Sequence, residues 1–116
     1  MDIDKIVLCG DSAGGHLCLA VTMLCILRGF RIPDSIVPLY PATSLDLHAF
    51  FPSSLMMTDD PLLSVGFITF ACACAMRHGG NSAVNPVASP MIACSALLRM
   101  FPRTVFIACE IDGIRD

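Results

Sequence analysis

The feature that most restricts the fold is a short apolar run that enters a glycine-rich turn and leaves it as a long apolar segment. Residues 5–9 (KIVLC) are apolar and partly β-branched, and this pattern predicts a buried strand. Residues 14–28 contain no proline and are apolar on nearly every side, which predicts a buried helix with Gly29 as its C-terminal cap. A strand that turns directly into a buried helix is typical of an α/β protein with a parallel sheet.

Two further strands are predicted, at residues 35–40 and 104–109, because both stretches are apolar and lie between helical or irregular segments. The predicted helices are residues 62–76 and 95–100, and the predicted irregular segments are residues 41–61 and 77–90. Ser64 is the candidate N-cap of the first of these helices. Pro38 interrupts the second strand, and since proline has no N–H to donate it is expected at a sheet edge or a bulge. The alternation predicts an α/β fold with three parallel strands and flanking helices.

The amino-acid composition indicates a folded chain that is unusually apolar for its size. Of the 116 residues 55% are hydrophobic and 15% are charged, which excludes a disordered protein. A domain this small exposes much of its surface and normally needs more polar residues. The longest apolar stretch, residues 17–27, is too short to span a membrane, which takes about 20 apolar residues. We therefore expect residues 1–116 to be part of a single larger domain, truncated at both ends, with no transmembrane segment.

Charge and cysteine content exclude several functions. The net charge is −3, from 7 basic and 10 acidic residues, and no basic patch is interleaved with aromatic residues, so nucleic acid is not an expected partner. The acidic start MDIDKIVLCG does not have the positive charge of a signal peptide. The 7 cysteines lie in apolar stretches and form no C-x-x-C pair, so we interpret them as small buried hydrophobic residues rather than disulfides or zinc ligands. This interpretation predicts a reducing, cytoplasmic location and no metal or other cofactor.

Residues 10–14 (GDSAG) match the pattern G-x-S-x-G at the junction of the first strand and helix. A sharp turn at this place lifts a serine hydroxyl above the edge of the sheet, and the crowded turn requires small neighbours. Ser12 is therefore the candidate nucleophile, and the backbone N–H of Ala13 is the candidate donor to an oxyanion. The alternatives are an ordinary glycine-rich turn or a phosphate-binding loop, although the lysine of the phosphate-binding pattern is missing.

The segments GDSAGGHLCLAV, RIPDSIVPLYPAT, DDPLLS, NPVASPMIA and FIACEIDGIRD, in this order, resemble the hormone-sensitive lipase family of α/β-hydrolases. The resemblance implies a partial α/β-hydrolase fold, a serine carboxylic ester hydrolase of lipid catabolism, and a lipid or other ester as substrate. In the family the nucleophile is the serine of GDSAGG, here Ser12. The family's acid is the first aspartate of a D-P-L-x-D turn, which falls on Asp112. Gly113 replaces the proline of that turn, and this departure is expected to loosen it.

Two parts of the family's catalytic machinery have no counterpart in these residues. Glu110 and Asp116 are rival acids beside Asp112, but His16, His48 and His78 all precede it, whereas the family's histidine follows it. The family's upstream H-G-G-G oxyanion loop is also absent. We therefore expect this chain alone to be inactive and poorly soluble, and any contact with a lipid surface to involve other regions. The alternative function is that of a non-catalytic, ligand-binding relative with the same fold.

Overall fold

A computed structural model describes residues 4–46, 48–49 and 51–116 of the chain. Its strands are β1 (Val7–Asp11), β2 (Ser35–Leu39) and β3 (Arg103–Thr104), and its α-helices are α1 (Ala13–Arg28), α2 (Val65–Ala75) and α3 (Ser95–Leu98). Short 3₁₀ helices occupy Pro52–Met57 and Pro90–Ile92. The strands form one parallel sheet in the order β1-β2-β3. The predicted α/β fold with three parallel strands and flanking helices is confirmed.

Helix α1 connects β1 to β2 and packs against both strands. Its buried residues include Leu19, Met23 and Ile26, which lie on one side of the helix at helical spacing, and Ile36 of β2 is fully buried. Thr22 on the same side donates a hydrogen bond of 2.7 Å to the carbonyl of Cys18, so its buried hydroxyl is satisfied. These contacts form the core of the described part of the chain, and they hold α1 against the sheet.

Within the described residues, α1 is buried on one side only. Leu17, Val21 and Leu27 are 59%, 43% and 50% exposed, because they lie on the side of the helix that faces away from β1 and β2. The end of the helix was predicted correctly. Gly29 has a left-handed φ of 67°, and its backbone N–H hydrogen-bonds to the last turn of the helix.

Pro38 lies in the central strand and not at the edge or bulge that its missing N–H suggests. Its carbonyl accepts a hydrogen bond of 3.2 Å from the N–H of Ile107, so it remains part of the ladder with the β3 side. By the register of that ladder, the missing donor is the one that would reach the carbonyl of Val105. Regular pairing in β3 accordingly stops at Thr104 and returns as a single bridge between Leu39 and Ile107, instead of covering residues 104–109.

Helix α2 begins later than predicted because an aspartate turn precedes it. The carboxylate of Asp60 accepts hydrogen bonds of 2.8 Å from the N–H groups of both Leu62 and Leu63, which holds these residues outside the helix. Ser64 is the N-cap, as predicted, and its hydroxyl accepts from the N–H of Phe67 at 3.3 Å. No residue of α2 is buried.

Among the described residues, none of the helices combines the length and the apolar character that crossing a membrane requires.

The interpretation of the cysteines as buried residues holds for one of them. All seven are free thiols, and only Cys18 is buried. Burial raises the pKa of the Cys18 thiol, which keeps it protonated at neutral pH. Cys25 and Cys72 are half-buried, and the exposed cysteines are Cys9, Cys74, Cys94 and Cys109.

Candidate active site

Ser12 is the single residue between β1 and α1, and its backbone conformation is strained. Its φ is 48° and its ψ is −116°, in a region that residues with a side chain rarely adopt. The N–H of Ser12 donates a hydrogen bond of 2.9 Å to the carbonyl of Leu39 at the end of β2. Pairing with the neighbouring strand therefore holds the strained turn in place.

The hydroxyl of Ser12 does not cap helix α1, although Ser12 occupies the N-cap position. Serine at an N-cap normally accepts a hydrogen bond from the first turn, but Ser12 makes no such bond and is exposed. The positive φ provides the physical reason, because an extended backbone is the conformation that lets an N-cap side chain fold back over the helix. The hydroxyl is consequently free to meet a ligand at the carboxyl edge of the sheet.

The backbone N–H of Ala13 lies at the start of α1, next to Ser12. Ala13 is the first residue of α1, so its N–H has no acceptor within the helix, and it is exposed beside Ser12. The positive end of the helix dipole lies at the same place. A negative charge that develops next to Ser12 would be stabilised by the Ala13 N–H and by the positive end of the helix dipole.

Two glycines allow the turn to form, and one of them lies outside the G-x-S-x-G pattern. A Cβ on Gly10 would lie 2.5 Å from the carbonyl carbon and oxygen of Gly14. A Cβ on Gly15 would lie 2.9 Å from the carbonyl oxygen of Leu39. A Cβ on Gly14 would meet nothing closer than Asp11 Oδ1, at an ordinary 3.5 Å. The close approach of β1, α1 and β2 therefore requires Gly10 and Gly15, whereas Gly14 has room for a methyl group.

Gly10→Ala is expected to destabilise the larger domain that contains these residues by about 1–3 kcal/mol, because the added methyl group collides with backbone that cannot rotate away. Gly14→Ala is the matched control, and there the same methyl group has space in the first turn of a helix. Urea unfolding of the wild type and both variants gives the free energies of unfolding. Equal stability of the two variants would contradict the steric account of the turn.

Asp112 lies in a turn after β3 that we name the acid turn, residues 112–116. Asp112 Oδ1 accepts a hydrogen bond of 3.0 Å from the N–H of Ile114, and its backbone carbonyl accepts from the N–H of Arg115 at 3.2 Å. Its other carboxylate oxygen has no hydrogen bond within the described part of the chain. The half-buried Asp112 thus combines a fixed orientation with one available acceptor.

The rival acids are placed differently. The carboxylate of Asp116 accepts a hydrogen bond of 2.7 Å from the N–H of Ser53, and Arg115 lies 3.6 Å from its other oxygen. The hydrogen bond from the Ser53 N–H and the charge of Arg115 lower the pKa of the Asp116 carboxyl group, so it is ionised at neutral pH. Glu110 is exposed, and its backbone carbonyl accepts from the Arg115 guanidinium at 2.9 Å. Sequence reasoning did not identify Ser53, because no local pattern connects it to a turn 60 residues later.

Ser12 and Asp112 each follow a strand that ends at the same edge of the sheet, but they are not joined to each other. Ser12 follows the end of β1, and the chain leading to Asp112 leaves the sheet after the hydrogen bond of 2.6 Å between the N–H of Tyr40 and the carbonyl of Ile107. Carboxyl ends of parallel strands meet at one edge, where ligands bind in open α/β sheets. Among the residues described, no hydrogen bond links Ser12 to Asp112.

Among the described residues, no histidine side chain is hydrogen-bonded to the Ser12 hydroxyl, although the backbone N–H of His16 donates to the Ser12 carbonyl at 3.0 Å within the helix. His16 is buried, and its Nδ1 lies 2.8 Å from the carbonyl oxygen of Ala42, which ties α1 to the segment after β2. His48 is exposed, as is His78, whose Nε2 accepts a hydrogen bond of 3.0 Å from Arg77. The buried contact with the Ala42 carbonyl gives His16 a structural role.

Two other segments that carried the family resemblance contact each other. The buried hydroxyl of Ser89, in NPVASP, lies 3.2 Å from the hydroxyl of Ser44 and accepts from the N–H of Leu45 at 3.1 Å. The N–H of Met91 donates to the carbonyl of Thr43, in YPAT, at 3.1 Å. These hydrogen bonds stabilise the loop after β2. No cluster of His, Cys, Asp or Glu within the described ranges has an arrangement that could hold a metal ion.

The chain is similar in sequence to known members of one protein family. A family model described as the α/β-hydrolase fold matches residues 1–116. Hormone-sensitive lipase of Mus musculus is 39% identical to this chain over 80 residues, which cover 69% of the chain and 10% of that lipase.

Solved structures of esterases are similar to this chain in both fold and sequence. Carboxyl esterase 2 from the fungus Tuber melanosporum matches with a TM-score of 0.79 and 32% identity, over 94% of this chain and 35% of the esterase. Brefeldin A esterase, described as a bacterial homologue of human hormone-sensitive lipase, matches with a TM-score of 0.80 and 26% identity, over 97% of this chain and 33% of that esterase. The chain spans about a third of the length of these esterases and a tenth of the lipase.

Proposed function

The chain belongs to the α/β-hydrolase fold family, and on this premise we propose that it is the part of a carboxylic ester hydrolase that carries the nucleophile and the acid. The observation that supports this most strongly is the backbone of Ser12, whose positive φ is maintained between β1 and α1. Strain of this kind persists where the surrounding structure enforces it and is concentrated at functional sites. A serine that only ended a strand or capped a helix would have no need of it.

In the proposed reaction the Ser12 Oγ attacks the carbonyl carbon of an ester and transfers its proton to a histidine base. The carbonyl oxygen becomes an oxyanion, to which the free N–H of Ala13 donates. The alcohol leaves with the proton from the histidine, and water then hydrolyses the acyl-enzyme by the same steps. In this scheme Asp112 accepts a hydrogen bond from the imidazole through its available oxygen, which fixes the tautomer and stabilises the imidazolium.

The histidine and a second oxyanion donor have to come from elsewhere. Since the chain spans about a third of the length of the related esterases, we propose that both are supplied by the remainder of such a domain. We call a protein that carries this chain within a complete hydrolase domain the parent protein. By this reasoning the 116-residue chain alone has no base for Ser12 and is not expected to hydrolyse esters.

The relatives support an ester as the substrate class. One is named a lipase, another a carboxyl esterase and a third an esterase of brefeldin A. All three names describe enzymes that act on esters, and they do not point to one particular substrate. We therefore propose a carboxylic ester, lipid or otherwise, as the substrate of the parent protein.

Labelling of the parent protein with a fluorophosphonate tests this function. The reagent forms a phosphorus–oxygen bond to an activated serine with loss of fluoride, so the expected result is one adduct, mapped by mass spectrometry to Ser12. Ser95 is the matched control, because it is an exposed serine at the start of α3 with an ordinary helical position. A protein that stays folded and unlabelled at Ser12 would instead be a non-catalytic, ligand-binding relative.

A further inference from the structure

The 3₁₀ helix Pro52–Met57 is hydrogen-bonded to the acid turn. The N–H of Ser53 donates to Asp116 Oδ2 at 2.7 Å, and its hydroxyl donates to the carbonyl of Gly113 at 3.1 Å. The N–H of Asp116 in turn donates to the Ser53 hydroxyl at 3.4 Å. Three hydrogen bonds thus connect the turn to a distant part of the chain, and all three involve one serine.

Ser53 has no other role that its surroundings suggest. It is 1% exposed, so its hydroxyl has little access to water, and it acts both as a donor and as an acceptor toward the acid turn. Its hydroxyl does not cap the 3₁₀ helix, in which it is the second residue. Removing the hydroxyl would leave the carbonyl of Gly113 and the N–H of Asp116 without this partner.

A second contact fixes the same turn from the same helix. A Cβ on Gly113 would overlap the Cγ of Met57, which is 5% exposed. Gly113 therefore lets Met57 pack directly against the turn, at the position where the resemblance to the lipase family implies proline. The glycine does not leave the turn unsupported, because the support comes from residues outside the turn.

The sheet alone does not determine where Asp112 lies. Regular pairing ends at Thr104, the last bridge is at Ile107, and residues 108–111 are exposed. An acid that follows a segment of this kind needs an anchor beyond the strand to keep one orientation. The contacts with Ser53 and Met57 are placed on both sides of the turn's centre and provide that anchor.

We propose that Ser53 is a positioning residue of the active site, which holds Gly113 and Asp116 so that the available oxygen of Asp112 is presented to the catalytic histidine. The inference rests on the proposed function, since positioning matters only if Asp112 acts in catalysis. Asp116 is then an anchor rather than a rival acid, which agrees with the lowered pKa of its carboxyl group. Ser53 acts on the reaction only through the acid turn.

The test compares Ser53→Ala with Ser54→Ala in the parent protein. The two serines are adjacent, but the Ser54 hydroxyl has no hydrogen bond in the part of the chain that is described, so its variant is the matched control. Ser53→Ala is expected to lower kcat for a short-chain ester by about 10-fold to 100-fold, because small misplacements of a catalytic group are costly. KM stays unchanged, since ground-state binding does not involve the turn.

A double-mutant cycle separates positioning from a loss of stability. In an Asp112→Asn background, Ser53→Ala is expected to cause no further loss of kcat, because the group it positions no longer functions. Amide hydrogen exchange of residues 112–116 should become faster in Ser53→Ala and remain unchanged in Ser54→Ala. If Ser53→Ala does not fold, Asp116→Asn weakens the same anchor from the exposed side and is expected to lower kcat in the same range.

The outcomes distinguish this inference from the proposed function. If Ser12 is labelled but Ser53→Ala and Asp116→Asn retain wild-type kcat, the positioning role is wrong and the esterase function stands. Additive losses in the double-mutant cycle would also overturn it, because they indicate a general effect on the fold. If Ser12 of the wild type is not labelled, the proposed function fails and the positioning role fails with it, whatever the exchange rates.

Discussion

Asp112→Asn lowers kcat of the parent protein for ester hydrolysis by about 10⁴, the loss expected when the acid of a serine–histidine–aspartate triad becomes an amide. Asparagine keeps the size of the side chain, and its carbonyl oxygen can still accept from the N–H of Ile114. What it loses is the negative charge that stabilises the imidazolium and selects the histidine tautomer. The acid turn should therefore keep its shape while the reaction slows.

Steady-state kinetics of Asp112→Asn and Asp116→Asn decide between the two aspartates. Asp116→Asn is the comparison, because it removes the same charge from the same turn but from a carboxylate bound by Ser53 and Arg115. We expect a loss smaller by about a hundredfold or more, since misplacing the acid costs less than neutralising it. A larger loss in Asp116→Asn than in Asp112→Asn would mean that the acid has been assigned to the wrong residue of the turn.

The arrangement of the fold could be predicted because its signals are local. The apolar run that becomes β1, the glycines of the turn and the uninterrupted apolar segment of α1 all occur within residues 5–29. Their order and spacing allow one strand, one tight turn and one helix. The placement of Ser12 and of the free N–H of Ala13 follows from that geometry, and the sequence predicts both.

The features that the sequence did not predict depend on contacts between distant segments. Which side of α1 is buried is decided by where β1 and β2 lie, and the even distribution of apolar residues around the helix carried no information about it. The early end of β3 is caused by the missing donor of Pro38 in the neighbouring strand. The contacts of Ser53 could not be predicted from the sequence for the same reason, because its partners Gly113 and Asp116 are 60 and 63 residues away.

The strained backbone of Ser12 has a consequence for stability that can be separated from catalysis. A φ of 48° costs a residue with a Cβ about 1–3 kcal/mol, whereas glycine adopts it freely. The hydrogen bond from the Ser12 N–H to the Leu39 carbonyl and the tight contacts of Gly10 and Gly15 enforce this conformation. The folded state therefore stores strain at the residue that the proposed mechanism needs most.

Ser12→Ala and Ser12→Gly are both expected to lower kcat of the parent protein by about 10⁶, as loss of a triad nucleophile does. Only Ser12→Gly relieves the strain, so it should be more stable than Ser12→Ala by about 1–2 kcal/mol after the entropy cost of glycine in the unfolded chain. Urea unfolding compares their free energies of unfolding, and steady-state kinetics measures kcat. Equal stability of the two variants would mean that the turn is relaxed, and residual turnover close to wild type in either would assign the nucleophile to another residue.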